Sequence, residues 1–177
     1  ADPEVVEMNL ASIPGLWHEE TTKFLVDTCE ARGDALAIID LKGGFVPRSD
    51  DTGTKSERKG KLGNVLTFMK ERNFNSSYGA AYYPWVKVRD DQTGTIVTMP
   101  PSVVALGVLA NTERAADVWF APAGFRRGGL SLGAGGLTVT GVETKLTSRN
   151  RDDLYELNIN PIASFPAEGI VVFGQKT

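Results

Sequence analysis

The sequence predicts an α/β domain with a mixed, largely parallel central sheet, flanking helices and one β-hairpin excursion. Two apolar runs, at residues 35–39 and 170–173, have no polar residue to alternate against, which is typical of strands buried on both faces. Strand and helix patterns alternate early in the chain, as in βαβ units, whose right-handed crossovers make the strands parallel. Because 177 residues can bury one full core, we expect a single domain over residues 1–177.

Composition and charge narrow the function classes. Apolar residues make up 41% of the chain and charged residues 23%, which is typical of a folded globule and argues against disorder. The formal net charge of -3 argues against a nucleic-acid surface, which needs a basic excess on one face. Since no apolar run is long enough for a membrane span and the first ten residues lack a signal-peptide layout, we expect a cytosolic protein without membrane contacts.

The first elements predict one βαβ unit. A strand over Val5–Ser12 ends at a turn, and the helix Trp17–Arg32 follows with acidic residues in its first turn and a glycine stop after it. The strand Ala35–Asp40 completes the unit. The helix should lie on the sheet through a stripe at helical spacing, which consists of Trp17, Thr21, Phe24, Leu25, Thr28 and Cys29.

The next segments predict an exposed loop, a short helix and a hairpin. Residues 42–60 are polar, charged and glycine-rich, so we expect a surface loop, and an amphipathic helix follows from Leu62 to about Asn73. The aromatic strand Tyr78–Val88 contains Pro84, which predicts a bend at an edge or bulge. A turn at residues 90–94 then predicts a return strand and a hairpin.

The elements after the hairpin are less regular. A buried helix over Val103–Ala110 follows the N-cap turn Pro100-Pro101-Ser102. A flexible glycine-rich loop after Phe125 then leads to a strand over Leu137–Val142. A short helix at residues 151–157 comes next, which Ser148 or Asn150 caps and Asn158 ends. Residues 115–124 have no clear pattern.

The last stretch, residues 152–177, predicts the middle of the sheet. The run Ile170–Phe173 is apolar throughout, and the dipeptides Asn160-Pro161 and Phe165-Pro166 before it favour extended backbone. We therefore expect a stiff, irregular ribbon leading into a central strand. Its marker residues are Asn160, Pro161, Ile162, Phe165, Pro166, Gly169, Ile170 and Phe173.

The residue types needed for catalysis are scarce. His18 is the only histidine and lies at a helix start, where a surface or capping role is expected. Cys29 is the only cysteine, which excludes an internal disulfide, and one cysteine with one histidine cannot complete a zinc site. We therefore predict no catalytic residue, no metal site and no cofactor.

A nucleotide- or small-molecule-binding enzyme stays open as an alternative, because βαβ strands ending at Asp40 are similar to a Rossmann arrangement. The glycines at 133–136 lack the third glycine of the dinucleotide fingerprint, and residues 60–63 lack the P-loop frame. Asp90 and Asp91 predict a solvated turn, since the loop lacks the further oxygen ligands of a calcium site.

Aromatic residues are concentrated in one strand pattern, at Tyr82, Tyr83 and Trp85. Such side chains can stack on nucleic-acid bases. No cluster of lysines or arginines accompanies them, so we expect them to lie in the core or at a protein interface.

Two sequence motifs carry a family resemblance. The first, at residues 76–88, reads SSYGAAYYPWVKV, and the second reads LNINPI followed by FPAEGIVVFGQKT up to Thr177. In this order they resemble contractile tail sheath proteins of phages and related injection machines. The resemblance covers about Val6 to Thr177.

The resemblance implies a structural protein. It implies an α/β fragment of a larger multidomain sheath subunit that assembles helically around a tail tube, meets a baseplate and contracts to drive the tube through the host envelope during genome delivery. Neighbouring subunits would be the homo-oligomeric partners, in a virion assembled in host cytoplasm. Terminal arms and a C-terminal region would lie outside this chain, which is therefore expected to be monomeric. The same resemblance fits a bacterial injection system or a tail-like bacteriocin.

Overall fold

The computed structural model describes residues 2, 4–117, 119–131 and 137–177. Within these residues the strands are β1 (Leu10–Ser12), β2 (Leu36–Ile39), β3 (Gly79–Tyr83), β4 (Val86–Arg89), β5 (Ile96–Met99), β6 (Thr138–Val142), β7 (Ile159–Phe165) and β8 (Gly169–Val172). The helices are α1 (Glu19–Arg32), α2 (Lys55–Arg58), α3 (Leu62–Arg72), α4 (Pro101–Ala115) and α5 (Ser148–Glu156).

A five-stranded sheet forms the centre of the fold, with the strand order β1-β2-β3-β7-β8. Strands β1, β2, β3 and β7 pair in parallel, and β8 pairs antiparallel with β7. The predicted βαβ unit is present as β1, α1 and β2. The predicted fold class, a mixed and largely parallel sheet with flanking helices and a hairpin excursion, is confirmed.

The position predicted for the last strand is wrong. Strand β8 is an edge strand of the sheet, and β7, predicted as an irregular ribbon, lies inside it. The burial of β8 has another cause: segment 124–131 covers its outer edge, with the Leu130 amide donating to the Ile170 carbonyl over 2.8 Å and the Val172 amide donating to the Gly128 carbonyl over 2.7 Å. A covered edge strand has the same continuous apolar pattern as a central one.

Two hydrophobic clusters pack on the two faces of the central sheet. One contains α4 and residues of the second sheet, and its buried members include Ile38, Tyr82, Val104 and Ile162. The other contains α1, α3 and α5, and its buried members include Val26, Val65, Leu154 and Ile159. Because side chains alternate along a strand, neighbouring residues of β2, β3 and β7 supply both clusters.

The predicted buried stripe of α1 is partly wrong. Cys29 is buried and Leu25 packs against the core, as predicted, but Thr22 and Val26 are the other buried residues of the helix. Phe24, a predicted member of the stripe, is 72% exposed. The helix lies close to β3, where a Cβ placed on Gly79 would lie only 3.1 Å from Val26. Such a close approach favours small side chains on the buried face, so the large aromatic residue is on the opposite side.

Pro84 marks the passage from the central sheet into a second sheet. Strand β3 before it lies inside the central sheet, so the predicted edge position is wrong, while the predicted change of direction is present. The second sheet has the order β5-β4-β6 and is antiparallel, which confirms the β4–β5 hairpin. A register shift between Lys87 and Val88 interrupts the pairing of β4 with β6.

Two helix caps differ from those predicted. Pro100 occupies the N-cap position of α4, and Ser102 lies in the first turn, where its groups are used in a tertiary contact. Thr147, not Ser148 or Asn150, caps α5, and the Asn150 side chain completes a capping box with it. Local sequence alone allows several neighbouring residues to cap a helix, since serine, threonine and asparagine all suit the position.

Candidate functional site

The carboxylate of Asp40 ties three elements together at the end of β2. Its Oδ2 accepts hydrogen bonds from the Gly15 amide over 2.7 Å and from the Ser102 hydroxyl over 2.7 Å, and its Oδ1 accepts one from the Ser102 amide over 3.1 Å. The residue is 1% exposed. Burial raises the pKa of Asp40, and the hydrogen bonds from Gly15 and Ser102 oppose that shift.

This arrangement bears on the nucleotide alternative. In nucleotide-binding α/β proteins the N-terminus of a helix after a strand binds phosphate through free backbone amides. Here the Asp40 carboxylate already binds the first turn of α4 through Ser102. An internal anion thus holds the position that a phosphate would need.

The other glycine-rich candidates give no phosphate cradle among the described residues. Gly60 lies tightly against the backbone of Gly43 and Gly44, and the Lys61 amide donates to the Gly43 carbonyl over 3.2 Å. Residues 60–63 therefore pack against a loop of the same chain. The second candidate, at residues 133–136, lies outside the described residues.

In the part of the chain that the structure describes, no group of three or more histidine, cysteine, aspartate or glutamate residues could hold a metal ion. The His18 side chain is exposed and makes no capping hydrogen bond, so the surface position is the one observed of the two roles predicted for it, surface or capping. Cys29 is fully buried, and burial raises the pKa of its thiol. The Asp90 carboxylate accepts hydrogen bonds from Thr93 and Gln92, as a turn residue does.

The aromatic strand residues lie in the interior. Tyr82, Tyr83 and Trp85 are 3%, 2% and 6% exposed, which excludes stacking on bases from solution. Burial raises the pKa of Tyr82 to about 12. Trp85 packs on Phe45, with ring centroids 5.4 Å apart. Of the predicted alternatives, the core position is the one observed.

Asn160 fastens the end of the chain to the central sheet. Its side-chain amide donates to the Lys176 carbonyl over 2.8 Å and to the Ala81 carbonyl over 3.1 Å, and its Oδ1 accepts from the Lys176 amide over 2.6 Å. Asn160 is fully buried. The side chain therefore pairs with Lys176 as a strand backbone would, and we call this set of contacts the Asn160 clamp.

Close packing supports the clamp on both sides. The Phe173 amide donates to the Pro161 carbonyl over 2.8 Å, and a Cβ on Gly174 would lie 2.8 Å from Pro161 Cδ. Lys176 Nζ donates to the Tyr155 carbonyl over 3.0 Å and lies 3.6 Å from the centroid of the Tyr155 ring. Two separate parts of the C-terminal motif, Asn-Pro-Ile and Gly-Gln-Lys-Thr, thus contact each other.

An aromatic cluster lies beside the clamp and is partly open to solvent. Phe165 is 5.0 Å from Phe125 and 5.4 Å from Phe173, measured between ring centroids. Arg151 of α5 lies over Phe165 at 5.3 Å and over Phe173 at 5.6 Å. Phe173 is 41% exposed, so the predicted strand run ends one residue earlier, at Val172.

The predicted marker residues occupy one continuous region. Asn160, Pro161 and Ile162 are buried in β7, Phe165 and Pro166 lie at its end, Gly169 and Ile170 begin β8, and Phe173 follows it. Gly169 has a positive φ of 77°, which glycine adopts without strain. The Ile170 amide donates to Ser131 Oγ over 2.8 Å.

Sequence reasoning missed three participants of this region: Phe125, Arg151 and Tyr155. Lys176 belongs to the second sequence motif, although its contacts were not predicted. The only pattern pointing to the missed residues is the i, i+4 spacing of Arg151 and Tyr155 on α5, which places both on one helix face. Their partners are far away in the sequence, so local patterns do not reveal the contacts.

Comparisons with known proteins show which proteins this chain resembles in sequence. A tail sheath protein of Vibrio phage KVP40 is 38% identical over 71 residues, which are 40% of this chain and 10% of that protein. A tail sheath protein of Enterobacteria phage T4 is 30% identical over 109 residues, which are 60% of this chain and 16% of that protein. The chain is therefore similar to tail sheath proteins of two phages, and the matches span less than a fifth of the length of those proteins.

Two solved structures share the fold of this chain. A chain of the six-fold symmetrised baseplate of the anti-feeding prophage AFP superposes with a TM-score of 0.66, and a chain of the AFP helical sheath in its contracted state with 0.64. Both are 22% identical, and the matches cover 98% of this chain but only 39% and 40% of those chains. No protein-family model matches the sequence.

The predicted resemblance to tail sheath proteins is therefore confirmed. In this chain the buried polar contacts of Asp40 and Asn160 join elements of the chain to one another. In the described part of the chain, no helix has the length and apolar character needed to cross a bilayer.

Proposed function

We propose that this chain is part of a structural subunit of a contractile tail sheath. Many copies would assemble helically around a tail tube above a baseplate, and contraction would drive the tube through the host envelope for genome delivery. The observation that carries the proposal is the sequence similarity to two phage proteins that are both named tail sheath protein. The protein would act in the virion after assembly in host cytoplasm.

The geometry supports a protomer that moves as a rigid body. Asp40 joins the turn after β1, the end of β2 and the start of α4, and the Asn160 clamp joins β3, β7 and the end of the chain. Contraction by rearrangement of rigid subunits stores its free energy in interfaces and needs no nucleotide. The residues from Asn160 to Phe173 would serve as the structural spine of a single domain over residues 1–177.

The exposed loops are the proposed contacts with other protomers. Residues 48–60 and 89–94 carry charges of both signs and lie mostly at the surface. We expect the isolated chain to stay monomeric at micromolar concentration, because the resemblance implies that terminal arms outside this chain would link neighbouring subunits by adding strands to their sheets.

Electron microscopy of the full-length subunit tests the proposal. Wild type should form helical arrays around tubes, and reversal of the charges in loops 48–60 and 89–94 should shorten or abolish them. The matched control reverses exposed charges on α5, at Arg149 and Asp152. A full-length wild-type subunit that formed no array with tubes would contradict the proposed function, whereas normal arrays with reversed loops would reject only the loops.

A ligand screen distinguishes the enzyme alternative. A nucleotide at a hundredfold excess over its dissociation constant should stabilise a binding protein by about 2.7 kcal/mol. Because Asp40 occupies the start of α4, we expect no thermal shift with nucleotides.

The AFP neighbours make a bacterial injection system the second candidate source, and the genes beside this one would distinguish it from a phage.

A further inference from the structure

A cleft lined with arginines lies between the end of α4 and segment 125–131. Its volume is about 650 Å³, and its charged lining residues are Arg114, Arg126, Arg127 and Glu168. Three guanidinium groups and one carboxylate give the cleft a positive excess in a chain whose formal net charge is -3. We call it the arginine cleft.

The arginines of this cleft are not neutralised within the described residues. None of the three forms an ion pair there. Arg114 donates to Asn111 Oδ1 over 3.1 Å, and the Arg127 guanidinium lies 3.9 Å from the centroid of the Phe120 ring. These neutral contacts hold two of the guanidinium groups in place and leave their charge available to an anion.

The outer face of α1 has the opposite character. Glu20, Phe24 and Asp27 lie opposite the buried residues of the helix, and Glu30 flanks them. Lys23 pairs with Asp27, whereas Glu20 and Glu30 form no ion pair with a described residue. Glu20 interacts electrostatically with Arg72, and its carboxylate stays exposed. Phe24 is 72% exposed in the middle of this acidic face.

We propose that the outer face of α1 in one copy docks into the arginine cleft of the next copy. Glu20 and Glu30 would meet the arginines, and Phe24 would pack on Phe125, which lines the cleft and is 52% exposed. The two surfaces are different parts of one chain, so the contact is heterologous and repeats without closing. This inference rests on the proposed function, because it assigns two contact surfaces to the assembled array.

The hairpin tip at Asp90 and Asp91 is the rival acidic element. It is a weaker candidate, because the Asp90 carboxylate already accepts hydrogen bonds from Thr93 and Gln92 and because Arg89 beside it offsets one of the charges. It carries no aromatic residue at its tip. It therefore serves as the comparison in the test.

Complementary charge reversals test the contact with the 177-residue chain itself. One variant carries Glu20→Lys and Glu30→Lys, and the other carries Arg114→Glu and Arg126→Glu. All four side chains are exposed, and circular dichroism establishes that both variants are folded before use. Each reversed variant alone should repel its own copies, whereas in a mixture the two variants should associate alternately, because each α1 face is then complementary only to the cleft of the other variant.

Sedimentation velocity and NMR titration measure the outcome. We expect the mixture to bind at least about tenfold more tightly than either variant binds itself, and to lose about tenfold or more in affinity at high salt. A mixture that showed no binding in the NMR titration at about 1 mM of each variant, well above the micromolar range in which the isolated chain is expected to be monomeric, would overturn the inference. A chain that combines Arg114→Glu and Arg126→Glu with Asp90→Lys and Asp91→Lys separates the rival, because its acidic α1 is repelled by its acidic cleft while its basic hairpin is not. Self-association of this chain would assign the cleft to the hairpin and also overturn the inference. If full-length subunits form arrays while the mixture stays monomeric, only this contact is wrong and the proposed function stands.

Discussion

The edge strands β8 and β5 differ in what covers them. In β8, Ile170 is 5% exposed and Val171 is fully buried, whereas in β5 Ile96 is 63% exposed and Val97 is 47% exposed. Segment 124–131 hydrogen-bonds along the outer edge of β8, with a bridge between Gly129 and Val171. Within the described residues β5 pairs only with β4.

The comparison shows that burial of an edge strand depends on the chain that crosses it. Both strands are four residues long and rich in β-branched residues, so their local propensities are similar. The difference comes from a covering segment that lies about forty residues earlier in the sequence than β8. The covered strand belongs to the rigid centre, and the uncovered one presents free backbone groups at the surface.

The largest expected effect comes from placing a charge in each strand. Ile170→Asp should reduce the free energy of unfolding by about 4 kcal/mol or more, because an unpaired carboxylate would be buried. Ile96→Asp is the matched control and should cost less than about 1 kcal/mol, since the side chain stays in water. Urea denaturation measures both, and equal losses would show that the two edges are not different.

The clamp beside β8 is expected to give the next largest effect. Asn160→Ala removes three hydrogen bonds of about 0.5–1.5 kcal/mol each, so we expect a loss of about 2–4 kcal/mol. Hydrogen exchange at the Lys176 amide should also become faster. Gln175→Ala, an exposed change in the same segment, is the control and should shift stability by less than about 0.5 kcal/mol. Unchanged exchange at Lys176 in the Asn160 variant would contradict the clamp.

A smaller effect on stability should come from adding one methyl group to the segment that covers β8 and one to strand β6 of the second sheet. A Cβ on Gly128 would collide with the Val172 carbonyl, so Gly128→Ala should displace the covering segment and cost about 1–3 kcal/mol. A Cβ on Gly141 of β6 would lie 3.4 Å from the flexible Lys87 side chain, so Gly141→Ala should leave stability unchanged or slightly higher. Thermal unfolding measures the stability of both variants. An unchanged stability of Gly128→Ala would mean that segment 124–131 does not pack tightly against β8.

The smallest expected effect is a pair of opposite pH trends. Burial raises the pKa of Asp40, so wild type should lose stability relative to Asp40→Asn as the pH rises from about 3.9 through that raised pKa. Hydrogen bonds from Thr93 and Gln92 lower the pKa of Asp90, so wild type should lose stability relative to Asp90→Asn as the pH falls below about 3.9. Urea denaturation across this pH range measures both, and trends of the same sign would show that the two aspartates do not differ in environment.

Local sequence patterns were sufficient for much of the fold. The apolar run before Asp40, the helix ended by Gly33 and the turn at Gly94 each report the environment of a short segment, and all three occur where predicted. The face of α1 was misjudged because hydrophobicity favours Phe24, whereas close packing against Gly79 favours small residues. Size complementarity between distant segments is not visible in the spacing of apolar residues.

The sequence by itself determined the fold class, the βαβ unit, the hairpin and the resemblance to sheath proteins, because periodicity, turn residues and short motifs are local properties. Only the tertiary structure decided that β8 is an edge strand, that Asn160 binds Lys176 and that Asp40 binds the start of α4. An apolar pattern records how well a segment is shielded from water. It does not record which segment provides the shielding, since that depends on strand order and on contacts between residues far apart in the chain.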